Sequence, residues 1–174
     1  MVARVSRRLL GILALSQWPV VPSALARGAA LAQPKGEVIL TIAGHGGLTN
    51  RADVAEFDRD MLESLGMTSF TTETPWYDKP VTFEGVPMLK LMAAVSARGT
   101  MVTALALDGY ETDIPMSDFA EHGTLLALKL DGAYMPADDK GPLFIAYPYD
   151  RNTELQTEPF YTRSVWQVAR LTVR

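Results

Sequence analysis

Residues 124–148 read TLLALKLDGAYMPADDKGPLFIAYP, and they carry the clearest indications of the fold. Thr124 to Leu130 is a mostly apolar segment that predicts a strand, and the turn signal Asp131-Gly132 ends it. Gly141-Pro142 then precedes Leu143 to Tyr147, a near-continuous apolar run that predicts another strand. Strands that follow each other after short turns favour antiparallel pairing.

The rest of the chain alternates predicted strands with short predicted helices. Apolar and β-branched runs predict further strands over residues 37–43, 67–74, 101–107 and 165–173. Helical spacing of apolar residues predicts one helix over residues 51–65, which Gly66 ends, and another over residues 86–97. Residues 149–163 are polar and predict a long loop, a feature that often carries function. The sequence therefore predicts a mixed α+β fold with a mostly antiparallel sheet or barrel and short helices.

The composition limits the chemistry that the chain can perform. Its 174 residues suit one domain, and 48% apolar residues argue against disorder of the whole chain. The chain has no cysteine, which excludes a disulfide framework, a thiolate nucleophile, a cysteine zinc site and an iron–sulfur cluster. Its two histidines, His45 and His122, leave little material for a histidine-based transition-metal site.

Residues 1–32 are predicted to be a signal peptide, and residues 33–174 the mature domain. A basic segment precedes the apolar run from Leu9 to Leu15, which is too short to span a membrane. Small residues follow, and cleavage is expected after Ala32. An uncleaved anchor helix is the alternative, and the Arg7-Arg8 pair leaves the choice between general and twin-arginine export open. We expect a periplasmic protein that is not inserted into the membrane after cleavage.

Cleavage would also change the charge of the protein. The first 32 residues hold four of the 16 basic side chains and none of the 20 acidic ones, so the mature chain carries a net charge of −8. An acidic domain without a basic stripe is a poor nucleic-acid binder, and we expect no nucleic-acid partner.

Five motifs, in the same order along the chain, resemble those of the sulfite-oxidase-like molybdopterin-binding domain family. They are GVPMLKLM at 85–92, LDGY at 107–110, LALKLDGAYMP at 126–136, GPLFIAYP at 141–148 and SVWQV at 164–168. Each motif is short, but their order over residues 37–173 favours the same fold. The resemblance implies a molybdopterin cofactor and, in the enzymes of the family, molybdenum held by a cysteine thiolate.

The chain departs from that family at the metal ligand. The cysteine corresponds roughly to residues 70–74, FTTET, where this chain offers threonine. A hydroxyl is a poor substitute for a soft thiolate ligand. The arginine of the family's GgPlR motif is replaced by Phe144. The sequence therefore predicts no metal ligand and no catalytic residue, and it favours a free, metal-free pterin over the molybdenum cofactor.

A subset of exported proteins with this fold lacks the cysteine, and the chain resembles that subset. The resemblance implies a non-catalytic protein of the periplasm that binds a reduced, metal-free pterin. Such a protein would signal its ligand state to the periplasmic domain of a membrane enzyme that controls cyclic-di-GMP. Two other hypotheses stay open: a molybdopterin-dependent oxidoreductase that coordinates the metal through pterin sulfurs alone, and a ligand-free interaction domain.

The predicted ligand-binding residues lie in the two loops that this fold brings together. A carboxylate can accept two parallel hydrogen bonds from the donor-rich edge of a pterin, and aromatic rings can stack on its face. The predicted site residues are Glu73, Thr74, Trp76, Tyr149, Asp150, Tyr161, Arg163 and Trp166. Tyr77 and Arg151 lie in the same two loops.

Several of these residues also have a purely structural interpretation. Trp166 lies in a predicted strand, where core packing is the alternative to stacking. Glu73 lies between threonines and could face water. Asp150 fits a turn position, as does Asp108 in the LDGY motif. Arg163 could pair with a neighbouring glutamate on the surface, an interaction of small energy.

Overall fold

The computed structural model describes residues 31–174, so the predicted signal peptide, except its last two positions, lies outside the described residues. The described residues form ten strands and four short α-helices. The strands are β1 (Leu40–Ala43), β2 (Ala55–Phe57), β3 (Thr68–Thr74), β4 (Tyr77–Pro87), β5 (Met101–Ala106), β6 (Glu111–Pro115), β7 (Leu125–Leu130), β8 (Ala133–Tyr134), β9 (Phe144–Ala146) and β10 (Val168–Val173). The helices are α1 (Arg59–Ser64), α2 (Met88–Ala94), α3 (Ser117–Glu121) and α4 (Glu158–Arg163). None of the helices within residues 31–174 is long and apolar enough to cross a bilayer.

The strands form two five-stranded sheets. The first sheet has the order β2-β1-β10-β5-β6, and β1 with β10 is its parallel pair. The second sheet has the order β3-β4-β7-β8, and β9 also pairs with β7. All pairs of the second sheet are antiparallel. The predicted mixed α+β fold with mostly antiparallel strands is confirmed, and within the described residues the sheets do not close into a barrel.

The first four residues of strand β7, Leu125 to Leu128, are buried on both faces of the sheet, which explains why all four are apolar. Leu126 and Leu128 point into the larger hydrophobic cluster, which lies against the first sheet and α2. Leu125 and Ala127 point into a smaller cluster beyond the second sheet. Because successive side chains of a strand point to opposite faces, a strand between two cores needs apolar residues at every position.

Gly85 is required where β4 approaches β7. A Cβ atom at this position would lie 2.1 Å from the carbonyl oxygen of Leu126 and 2.5 Å from the Cα of Ala127. The pairing of β4 with β7 also shifts its register between Glu84 and Gly85. Gly85 opens the GVPMLKLM motif, so this motif begins where two backbones come into contact.

The predicted helix over residues 51–65 is wrong in its first half. Residues Ala55–Phe57 form strand β2, which pairs with β1, and the helix begins only at Arg59. The side chain of Asn50 holds β2 by two hydrogen bonds, since its Oδ1 accepts from the Glu56 N–H at 2.8 Å and its Nδ2 donates to the Glu56 carbonyl at 2.8 Å. Asp58 then caps α1. Strand pairing therefore overrides the helical spacing of the apolar residues.

The predicted loop over residues 149–163 is wrong as well, because it contains regular structure. Two 3₁₀ helices, Tyr149–Arg151 and Thr153–Leu155, lead into α4. Pro159 lies in the first turn of α4, where a missing N–H costs nothing. The last strand begins at Val168 instead of at residue 165, so Trp166 precedes the strand.

The last two residues of the predicted signal peptide contact the domain. Leu31 packs against the larger hydrophobic cluster. The Nδ2 of Asn50 donates a hydrogen bond of 2.6 Å to the carbonyl of Ala32. Cleavage after Ala32 would remove both contacts.

Candidate functional site

Trp76 lies at the centre of an aromatic cluster between β3 and β4. Its ring centroid is 5.6 Å from that of Phe144, 5.7 Å from Trp166 and 5.9 Å from both Tyr149 and Tyr161. The angles between the ring planes range from 65° to 89°, so all four contacts are edge-to-face. Edge-to-face pairs are a favoured arrangement of aromatic rings. Trp76 packs against both hydrophobic clusters and therefore joins the two cores.

A cavity of about 380 Å³ opens beside Trp76, within the size range of small-molecule sites. Four aromatic rings and several small or polar side chains form its walls. The lining residues are Trp76, Ala106, Asp108, Tyr110, Tyr161, Thr162, Ser164, Val165 and Trp166. We call this space the large cavity.

A second cavity, of about 240 Å³, adjoins the large cavity. It is lined by Glu73, Thr74, Pro75, Tyr149, Asp150, Gln156 and Tyr161. Tyr161 lines both cavities and is therefore their shared wall residue. We call this space the small cavity.

Reciprocal hydrogen bonds hold the loop after β9 against β3. The N–H of Glu73 donates to Oδ2 of Asp150 at 2.9 Å, and the N–H of Asp150 donates to Oγ1 of Thr72 at 3.1 Å. The Thr72 hydroxyl donates in turn to the Glu73 carbonyl at 3.2 Å, and Thr72 is fully buried. The predicted residues Glu73 and Asp150 are thus brought together across 77 positions of sequence.

The opposite rim of the large cavity is the turn between β5 and β6. Gly109 has a φ of +89°, a conformation that favours glycine. The N–H of Tyr110 donates to Oδ1 of Asp108 at 2.9 Å, which closes the turn. The Tyr110 hydroxyl donates to the carbonyl of Thr162 in α4 at 2.9 Å. The turn and α4 therefore form one rigid side of the cavity.

Tyr149 contributes an apolar ring to the site, since its hydroxyl is already engaged. The hydroxyl is bonded to Oγ of Ser164, which donates to the carbonyl of Phe160 at 2.6 Å. Burial raises the pKa of Tyr149 well above its usual range. The phenol therefore stays neutral at physiological pH.

Seven of the eight predicted site residues line one of the two cavities. Trp76, Tyr161 and Trp166 line the large cavity. Glu73, Thr74, Tyr149 and Asp150 line the small cavity, together with Tyr161. The two predicted loops do meet in space, although the charged side chains lie mainly in the smaller of the two cavities.

The eighth predicted residue, Arg163, lines neither cavity. Its Nη1 donates to Oδ2 of the buried Asp118 at 3.0 Å, and the Tyr147 hydroxyl donates to the same oxygen at 2.8 Å. Burial and the adjacent Asp118 raise the pKa of Tyr147 far above its usual range. Arg163 therefore serves a buried polar network, and its partner is Asp118 instead of a surface glutamate.

Sequence reasoning missed six of the nine residues that line the large cavity, among them Asp108 and Tyr110. In the LDGY motif, Asp108 precedes a glycine, and this pattern is typical of a turn. The sequence therefore predicts a structural role for Asp108 and no contact with a ligand. The structure shows that one carboxylate oxygen does close the turn, while the side chain also lines the cavity. Asp108 therefore both closes the turn and lines the cavity.

Within residues 31–174, no group of three or more histidine and carboxylate side chains is placed to hold a metal ion. No curated protein matches the chain significantly. A family model, the oxidoreductase molybdopterin binding domain, matches residues 55–149, more than half of the chain. The chain therefore belongs to the oxidoreductase molybdopterin binding domain family.

Proposed function

We propose that this protein binds a reduced, metal-free pterin in the large cavity and is not an enzyme. The observation that carries the proposal is the character of the cavity walls, which are aromatic and include no positively charged side chain among the described residues that line it. Aromatic walls with a few fixed polar groups are typical of sites for small heterocycles.

The pterin ring of molybdopterin fits these residues. The rings of Tyr110, Tyr161 and Trp166 offer faces and edges to a flat bicycle. The polar groups at the same walls, among them Asp108 and Thr162, can meet the ring's nitrogen and oxygen atoms. A volume of about 380 Å³ is enough for such a ring.

The other end of molybdopterin does not fit. Phosphate sites usually contain arginine, lysine or clustered N–H donors, whereas the described side chains that line the two cavities are neutral or acidic. The segment at 70–74 supplies threonine hydroxyls, and that of Thr72 is buried and engaged by backbone groups. Hydroxyls are weak ligands for a soft metal centre. This donor set supports a pterin without phosphate or metal.

We further propose that the protein works in the periplasm. In this proposal it signals its ligand state to the periplasmic domain of a membrane enzyme that controls cyclic-di-GMP. The support for this role is the signal-like N-terminus together with the resemblance to exported, cysteine-lacking proteins of this fold.

The binding proposal is tested on protein exported and purified from a host that makes molybdopterin. We expect calorimetry with a tetrahydropterin to give one bound ligand per chain, and elemental analysis to give no stoichiometric molybdenum. One molybdenum atom per chain, or no heat with the tetrahydropterin, would overturn the proposal.

The signalling proposal is tested in the native host. Deletion of the gene is expected to change the cellular level of cyclic-di-GMP, and the wild-type chain is expected to restore it. Trp166→Leu, which removes a wall of the large cavity, should fail to restore the level. Tyr134→Leu removes an exposed aromatic ring on β8 and should restore it. Equal rescue by both variants would contradict a role for the ligand.

A further inference from the structure

Asp108 is the charged side chain of the large cavity. Among the nine described residues that line this space, it alone carries a formal charge. The predicted carboxylates, Glu73 and Asp150, line the small cavity instead. A ring seated among Tyr110, Tyr161 and Trp166 would therefore meet one carboxylate, and that carboxylate belongs to the turn between β5 and β6.

The carboxylate of Asp108 is held in place but not saturated. The Tyr110 N–H donates to its Oδ1, while no other described residue donates to either oxygen. Within residues 31–174 no lysine or arginine forms an ion pair with it. Because a carboxylate can accept about four hydrogen bonds, Asp108 keeps most of its capacity for a ligand.

The donor edge of a pterin matches this acceptor. The exocyclic amine and the adjacent ring N–H point in the same direction, as two N–H groups of a guanidinium do, and a carboxylate can accept both. The corresponding lumazine carries a carbonyl oxygen in place of the amine. That oxygen would face the carboxylate, so one attractive contact would become a repulsive one.

We infer that Asp108 recognises the amine edge of the pterin and makes the protein select pterins over lumazines. This inference rests on the proposed function and assigns its specificity to a residue outside the predicted site. The Asx turn orients the carboxylate before the ligand arrives, and the bound ring then shields the contact from water, which strengthens it.

The substitution Asp108→Asn tests this inference because it keeps the turn. The amide oxygen of asparagine can still accept the Tyr110 N–H, so the variant should fold as the wild type does. The second carboxylate oxygen becomes an NH₂ donor. This group opposes the pterin amine and complements the lumazine carbonyl.

The experiment measures binding of a tetrahydropterin and of the corresponding tetrahydrolumazine by calorimetry. We expect the wild type to prefer the tetrahydropterin. We expect Asp108→Asn to bind it about tenfold to a hundredfold more weakly, in line with the loss of a charge-assisted hydrogen bond, and to bind the tetrahydrolumazine more tightly. The matched control is Asp113→Asn on β6, an exposed carboxylate bonded to Thr103 and Arg174. This control should keep the wild-type preference.

The outcomes separate the inference from the function on which it rests. If the wild type binds the tetrahydropterin and Asp108→Asn keeps both affinities, the inference is overturned and pterin binding stands. If Glu73→Gln changes the preference and Asp108→Asn does not, the recognition lies in the small cavity and the inference is again overturned. If the wild type binds neither compound, both the inference and the proposed function fall.

Discussion

The indole of Trp76 stands edge-on to the indole of Trp166, with their ring centroids 5.7 Å apart and their planes at 89°. The two side chains nevertheless have different roles. Both line the large cavity. Trp76 has three further aromatic neighbours and packs against both hydrophobic clusters, whereas Trp166 packs against the smaller cluster. A substitution at Trp76 should therefore affect stability as well as binding, whereas one at Trp166 should affect mainly binding.

Trp166→Leu is expected to weaken pterin binding. Loss of one stacking partner should lower the affinity about tenfold, which corresponds to the usual contribution of a ring that stacks on an aromatic side chain. Binding can be followed by quenching of tryptophan fluorescence, because both tryptophans within residues 31–174 line the large cavity. Tyr134→Leu is the control and should keep the wild-type affinity; an unchanged affinity in Trp166→Leu would remove this residue from the site.

Trp76→Ala is expected to lower the free energy of unfolding by about 3 kcal/mol, the lower end of the usual cost of removing a large aromatic side chain, because Trp76 is only partly buried. Trp76→Phe keeps an aromatic ring between the two clusters and should cost clearly less. Urea denaturation of the three proteins measures the difference. A stability loss below about 1 kcal/mol in Trp76→Ala would show that Trp76 does not join the cores.

Arg163→Ala is expected to destabilise the protein by about 2 kcal/mol and to leave pterin affinity unchanged. The substitution leaves the buried carboxylate of Asp118 with the Tyr147 hydroxyl but without its positive partner. Arg163→Lys keeps a positive charge and should recover part of the stability. Calorimetric titration of both variants measures the affinity for the pterin. A clear loss of affinity would show that Arg163 contributes to binding.

Stability at acid pH is expected to depend on Asp58. The N–H groups of Gly36 and Met61 bond its carboxylate and hold its pKa below the ordinary value of 3.8. A lowered folded-state pKa contributes stability above the unfolded-state pKa, and this contribution is lost as the pH falls through the folded-state value. Urea midpoints of the wild type should therefore exceed those of Asp58→Asn at neutral pH. The difference should shrink below about pH 4, and a constant difference would exclude this linkage.

Local patterns predicted most of the sheet. The mostly apolar segments that form β7 and β9 lie between two hydrophobic clusters. Burial on both faces requires successive apolar residues, so this environment can be predicted from the local sequence. The helix predicted over residues 51–65 failed because its first half is held by a strand partner and by Asn50, which the spacing of apolar residues cannot reveal. The short helices α3 and α4 were missed because neither has a full amphipathic repeat.

The candidate site was predictable where the relevant property belongs to the residue itself. Trp76 and Tyr161 are aromatic wherever they lie, and both line the large cavity. The role of Arg163 depends on Asp118, which is 45 positions away, and a pairing of this kind is not visible in local sequence. An aspartate before a glycine is typical of a turn, which already accounts for Asp108 in the local sequence. Its position at the wall of the large cavity depends on α4 and on Trp76, which are distant in sequence.

The contact between Asp150 and Glu73 has a consequence for solubility. Strand β3 is an outer strand of its sheet, and an uncovered outer strand offers free N–H groups to another chain. The Asp150 carboxylate occupies the N–H of Glu73 and places a negative charge at that margin. The loop that helps to form the small cavity thus also opposes pairing of β3 with a strand of another chain. A substitution of Asp150 would therefore affect both the cavity and the solubility of the protein.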